Sequence, residues 1–383
     1  MEVSPPIPRE QFPVTQRYAY LNHAGVAPLP AVTVAAVAAE AARARDKGTV
    51  GLDERDEEHE TIRGLGAKLM GVPSTDIAFV KNTTEGLGFV ANGLDWSPGD
   101  VVVVPDLEFP STLYPWLALD GLGVRVVRVA PLGPEGRLPL DSFRDAIAAS
   151  RPRLVACSWV QFGRGWRTDL AALAELCRDN NTLLCADVIQ GLGALPAELE
   201  QWGVDFAVAD AHKWLLGPEG IGLFYVRQER RDLLRPLEPG WASVLHRKEW
   251  DNLELIHDDS ARRFEGGTPN ALGLAGLGAS LRLLETAGMD SIWHHISRLC
   301  DHLVERLRGI GLEVVSDRSP EGRSGIVTFL IGDRDPAATR DRLEESGFVC
   351  SARAGGLRVS PHAYNEVDEV DAFIDALEHE LSP

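Results

Sequence analysis

Lysine is scarce in this 383-residue chain: of its 38 basic residues only five are lysines, Lys47, Lys68, Lys81, Lys213 and Lys248. Positive charge is short as a whole, because 57 acidic residues leave a formal net charge of −19. Such a field repels nucleic acid and anionic membrane surfaces, so neither is expected as a partner. No run of about 18 apolar residues exists, and a membrane-spanning helix is therefore not expected. Met1–Glu10 (MEVSPPIPRE) has no apolar stretch resembling a signal peptide, and a cytoplasmic location is expected. Cysteine is sparse too. Cys157, Cys177, Cys185, Cys300 and Cys350 are odd in number, scattered and without CxxC spacing. They read as reduced core thiols, with no metal site expected.

The composition that remains, 44% hydrophobic and 25% charged, is that of an ordinary globular protein. Short β-branched runs alternate with helical patterns from about residue 75 to 226. Strands are expected at 77–80, 101–104, 124–129, 154–158, 183–186, 206–209 and 222–226. Val101–Val104 is apolar throughout, as befits a strand covered on both faces. Strand–helix alternation implies an α/β domain around a mostly parallel sheet, whose ligands bind at the carboxyl ends of the strands. Residues 230–263 read as an irregular connection rich in charge, Trp and Pro. A long helical stretch, 271–307, broken near Gly288, then leads into an α+β segment of strand 325–331, helix 337–346, strand 357–360 and a closing helix 366–381.

Two loops carry the chemistry. Leu183–Leu184–Cys185–Ala186–Asp187 is an apolar strand ending in a carboxylate, which burial disfavours unless it meets a cationic partner. A protonated pyridine nitrogen is such a partner. Twenty-six residues later, Asp210–Ala211–His212–Lys213–Trp214 places a lysine after a strand, inside an apolar, Gly-punctuated stretch. Desolvation there favours the neutral amine, the nucleophile that forms an imine. The separation is one strand–helix–strand step, so neighbouring strands bring both groups to one cleft. The bland alternative makes Asp187 a helix cap and Lys213 a surface residue.

With Tyr20–Leu21–Asn22–His23–Ala24–Gly25, Asn82–Thr83–Thr84–Glu85–Gly86, Glu108–Phe109–Pro110–Ser111, Phe264–Glu265–Gly266–Gly267–Thr268–Pro269–Asn270 and Leu357–Arg358–Val359–Ser360–Pro361–His362, these loops resemble the class V aminotransferase family of fold-type I pyridoxal 5′-phosphate (PLP) enzymes. That family includes cysteine desulfurases, selenocysteine lyases and isopenicillin-N-epimerase-like proteins. The resemblance implies an aspartate-aminotransferase-like α/β fold, with a large domain on a mostly parallel seven-stranded sheet and a smaller α+β C-terminal domain. The expected divisions are residues 1–20 packing on the small domain, 21–262 binding PLP, and 263–383. It further implies that Lys213 carries PLP as a Schiff base and that Asp187 meets the ring nitrogen. Thr83 and Thr84 hold the phosphate, with His212 beside it. Phe109 stacks on the ring and Gln190 bonds its 3′-oxygen. Thr268 reaches the phosphate of a neighbouring subunit in a homodimer. Arg358 holds the carboxylate of an amino-acid substrate, near Asn22 and His23.

Two positions depart from the pattern. Asp210 stands where relatives often have Ser or Thr, and is expected to turn away from the phosphate or bond His212. Trp159 or Val160 stands where an Asn is common. Loss of a Cα proton to Lys213 opens transamination, β-elimination or racemisation. The loop before Arg358, Arg353–Ala354–Gly355–Gly356, is short, and Cys350 lies eight residues upstream of Arg358. This favours the isopenicillin-N-epimerase and C–S-lyase-like branch, an aminotransferase or lyase, over a cysteine desulfurase or selenocysteine lyase. A PLP-fold binding protein without catalysis is the remaining alternative. Gly191–Leu192–Gly193 lacks the third glycine of a dinucleotide fingerprint, and His294–His295 lacks zincin spacing.

Overall fold

A computed structural model describes residues 4–382. Its centre is a seven-stranded sheet in the order Ile77–Val80, Gly222–Val226, Phe206–Asp210, Leu183–Asp187, Leu154–Ser158, Val101–Pro105, Arg125–Val129. Gly222–Val226 runs antiparallel to both its neighbours and every other pairing is parallel. The expected mostly parallel sheet is present, with strand ends within one or two residues of those the sequence suggests.

The inner strands are apolar along most of their length because successive side chains enter two different cores. Val103, Val155, Cys157, Leu184 and Ala186 pack on one face; Val102, Val104, Ala156, Cys185 and Val208 pack on the other. The helices Ala31–Lys47 and Leu52–Met70 pack against Ala271–Ala287. That last helix and Met289–Gly309 meet at Gly288, whose φ of 78° ends the first.

A three-stranded antiparallel sheet follows in the order Ser351–Arg353, Gly356–Val359, Val327–Phe329. The start of the chain joins this end of the molecule. Ala19–Tyr20 pairs in parallel with Phe348–Val349, Asn22 bridges Ser360, and Phe12 stacks on Tyr364. Residues 21–26 thus lie between the small sheet and the carboxyl edge of the large one. Among the described residues no helix is long and apolar enough to cross a membrane.

Candidate active site

Parallel order makes the strand ends Ser158, Asp187 and Asp210 converge on one edge, since Ser158 is in register with Asp187 and Asp187 with Val208. A cavity of about 310 Å³ opens there, lined by Thr83, Thr84, Phe109, Ser158, Asp187, Gln190, Asp210, His212, Lys213 and Arg358, among others. Eight of the residues expected to bind cofactor or substrate therefore share one cavity, together with Asp210.

Lys213 opens a tight turn in which Leu216 N donates to Lys213 O and Leu216 adopts the left-handed φ of 57°. Its Nζ lies 5.6 Å from the centre of the Phe109 ring. Burial, opposed by the charge of Asp187, pushes the amine down to about 8. Asp187 is 3% exposed. Burial raises its carboxyl, while two donors favour the ionised form: Ile189 N at 3.0 Å from Oδ1 and Thr112 Oγ1 at 2.8 Å from Oδ2. Thr112 belongs to the helix Pro110–Leu117 and is 75 residues away in sequence, and no sequence signal identified it.

The same cavity is bordered by the N-terminus of the helix Thr83–Gly93, capped by Asn82 Oδ1, which accepts from Glu85 N. Gly86 lets this helix approach strand Phe206–Asp210: a Cβ there would sit 2.7 Å from Val208 Cγ1. Thr84 Oγ1 donates to Ser111 Oγ, whereas Thr83 Oγ1 and His212 Nδ1 are buried without a hydrogen-bond partner. Asp210 Oδ1 accepts from Ala211 N and lies 3.2 Å from His212 Nδ1, a contact not aligned as a hydrogen bond. Asp210 therefore meets His212, but it still lines the cavity.

Arg358 is 2% exposed, and no carboxylate pairs with it among the described residues. Its Nη1 donates to Phe162 O at 2.8 Å and its Nη2 to Asn22 Oδ1 at 3.3 Å, while Nε is unpartnered. Burial, then the neighbouring Arg353, lowers it to about 10. Gln190 is held from both sides, donating to Ala24 O and accepting from Trp214 Nε1.

Three expected residues lie outside the cavity lining. Asn22 orients Arg358 and accepts from Ser351 Oγ. His23 is fully buried, bonded through Nδ1 to Ser360 O and through Nε2 to Tyr364 Oη, so it ties the N-terminal segment to residues 360–364 rather than facing a substrate. Thr268 is exposed on the turn before the helix Ala271–Ala287. Trp159, at the position where an Asn is common, is buried against Trp202. Glu108, Ser158, Phe162 and Arg353 join the site on structural grounds; only the first and last stood in segments singled out in the sequence.

A family model described as Aminotransferase class-V matches residues 19–373. A probable cysteine desulfurase of Methanothermobacter thermautotrophicus is 30% identical over 396 residues, covering 97% of this chain and 96% of that protein. An uncharacterized aminotransferase of Bacillus subtilis, YcbU, is 29% identical over 85% of this chain and 84% of its own. Among solved structures, the apo cysteine desulfurase of Thermococcus onnurineus NA1 superposes with a TM-score of 0.89 at 25% identity, covering 97% and 98% of the two chains. The cystine C–S lyase C-DES, solved with its product cysteine persulfide, superposes with a TM-score of 0.88 over 96% and 99%. At 23% identity that likeness concerns the fold alone. The desulfurase names match the alternative reading better than the isopenicillin-N-epimerase branch that the short loop before Arg358 favours.

Proposed function

This chain belongs to the class-V aminotransferase family, and on that premise we propose that it is a PLP-dependent enzyme cleaving the Cβ–S bond of a cysteine-like amino acid. The observation that carries the amino-acid reading is the buried, unpaired Arg358 guanidinium in the same cavity as Lys213 and Asp187. A charge so placed is costly until an anion meets it, and an α-carboxylate fits its fork.

PLP suits the rest of the donor set. The unpartnered Thr83 Oγ1 and His212 Nδ1, with the helix N-terminus of Thr83–Gly93, meet a phosphate. The half-exposed Phe109 ring offers a face for a planar heterocycle, and Asp187 offers a carboxylate to a protonated ring nitrogen. When bound, PLP supplies an aldehyde that joins amines covalently and a ring that accepts the electrons released at Cα.

The chain's own groups do the rest. Lys213, held near 8, reaches its neutral form far more readily than an ordinary lysine; it would be the amine that carries PLP and, when free, the base that takes the Cα proton. Thr112 and the Ile189 N–H favour the ionised form of Asp187 and oppose the effect of burial. Arg358 fixes the carboxylate so that Cα faces the amine.

Cysteine-type substrates are supported by the names of the relatives. The fate of the sulfur is supported by the thiols of this chain. All five are buried, and Cys350, the one preceding Arg358, is pushed up to about 12 by burial and does not line the cavity. Sulfur therefore leaves on a small molecule, as sulfide or a thiol, with pyruvate and ammonia as co-products. A homodimer in which Thr268 reaches the partner's site completes the reading, in keeping with the exposure of that turn.

The purified protein with PLP is expected to show a visible band that borohydride bleaches and Lys213→Ala abolishes. L-Cysteine and L-cystine should then yield pyruvate. Alanine with a protein-bound persulfide would replace the lyase reading by a desulfurase. Accumulated pyridoxamine 5′-phosphate would replace it by transamination. Absence of any band would leave a non-catalytic binding protein.

A further inference from the structure

Glu108 is a carboxylate that the chemistry above does not use. It follows strand Val101–Pro105 and immediately precedes Phe109. Its Oε1 accepts from Ser158 N at 2.7 Å, and its Oε2 accepts from Ser158 Oγ. No cationic side chain pairs with it among the described residues. The titratable groups acting on it are Asp187, at the end of the strand two places away in the sheet, and Cys157 from the intervening strand Leu154–Ser158. Ser158 in turn lines the cavity, beside Asp187 in the sheet.

We propose, resting on the PLP reading of this cavity, that Ser158 is a further ligand-contacting residue whose hydrogen-bond sense is set by the protonation of Glu108. With Glu108 ionised, the Ser158 hydroxyl hydrogen is committed to Oε2, and only lone pairs face the cavity. With Glu108 protonated, the carboxylic O–H donates to Ser158 Oγ, Oε1 still accepts from Ser158 N, and the serine hydrogen is free for an acceptor oxygen of the ligand. Binding such an oxygen at Ser158 therefore draws one proton from solvent onto Glu108. Glu108 is a positioning residue here, acting through the serine.

The gate lies in a useful range. Burial, opposed by the two Ser158 donors, raises Glu108 to about 7. Both states are thus populated near neutrality. One neutral hydrogen bond gained or lost corresponds to about a fivefold change in affinity.

The test compares PLP binding to the apoprotein by quenching of tryptophan fluorescence, at about pH 6 and about pH 8, one unit on either side of that value. Glu108→Gln keeps an acceptor for Ser158 N and a permanent donor to Ser158 Oγ, mimicking the protonated state. It should match wild type at the lower pH and bind about fivefold tighter than wild type at the higher. Ser158→Ala should bind more weakly than wild type at the lower pH and lose that part of the pH dependence. Wild type and Glu108→Gln running parallel would overturn the gate. Difference infrared spectra of the wild-type apoprotein give a second readout should Glu108→Gln not fold. A carboxylic-acid carbonyl band should grow as pH falls through about 7 and be missing from Glu108→Ala, which lacks that carboxyl. Its absence in wild type would also overturn the gate. Failure of wild type to bind PLP at any pH would sink the cofactor reading instead, while the infrared band still reports on the pair.

Discussion

Replacing Thr112 with valine removes one hydroxyl at nearly constant volume from a fully buried site. That hydroxyl donates to Asp187 Oδ2 at 2.8 Å, so the change deletes one of the two donors holding the carboxylate. A hydrogen bond to a charged group contributes about 1.5–3 kcal/mol, and the variant should lose that much stability wherever Asp187 is ionised. The sign with pH follows from the direction of the shift. Burial raises the Asp187 carboxyl, so its ionised form costs stability as pH rises through its titration, and Thr112 lessens that cost. The gap between wild type and Thr112→Val should be full at pH values above the titration of this raised carboxyl and shrink as pH falls through it and the carboxyl takes up a proton. Urea unfolding of the apoproteins at several pH values measures it directly. A gap that stays constant across the range would refute the claim that Thr112 acts by stabilising the charge. The same variant should weaken the grip on a protonated ring nitrogen and so slow the Cα chemistry, while the apparent affinity for a substrate carboxylate, set by Arg358, stays close to wild type.

Arg358→Lys keeps the charge but loses the fork; steady-state kinetics should show KM for the amino acid raised about tenfold or more with a smaller change in kcat, and an unchanged KM would remove Arg358 from substrate binding. Gly86→Ala places a methyl 2.7 Å from Val208 Cγ1 and 2.8 Å from Cγ2, so thermal unfolding should report a loss of about 1–3 kcal/mol. The helix start at Thr83 should shift with it, weakening PLP binding in the same protein. Cys350→Ser should leave turnover with L-cysteine within about twofold of wild type, because the buried thiol takes no part. A loss of more than about tenfold would restore a chain-borne sulfur acceptor.

Much of this protein is written in short-range patterns. Continuous apolar runs such as Val101–Val104 announce strands buried on both faces, because each strand feeds two cores. The Asp187 and Lys213 loops were legible because a carboxylate ending an apolar strand, and a lysine inside an apolar turn, are each anomalous locally. Their spacing by one strand–helix–strand step then puts them on neighbouring strands. What the sequence could not decide is which distant side chain meets which. Thr112 reaches Asp187, Glu108 grips Ser158, and Asn22 steadies Arg358 only once the sheet order and the pairing of residues 19–22 with 348–360 are set. His23 shows the same limit from the other side: its motif suggests a substrate contact, but Ser360 and Tyr364 close over it in the folded chain. Backbone periodicity is a property of neighbours along the chain, whereas hydrogen-bond partners and burial are properties of neighbours in space. The residues that make the chemistry stand out in the first, and those that tune it are assigned by the second.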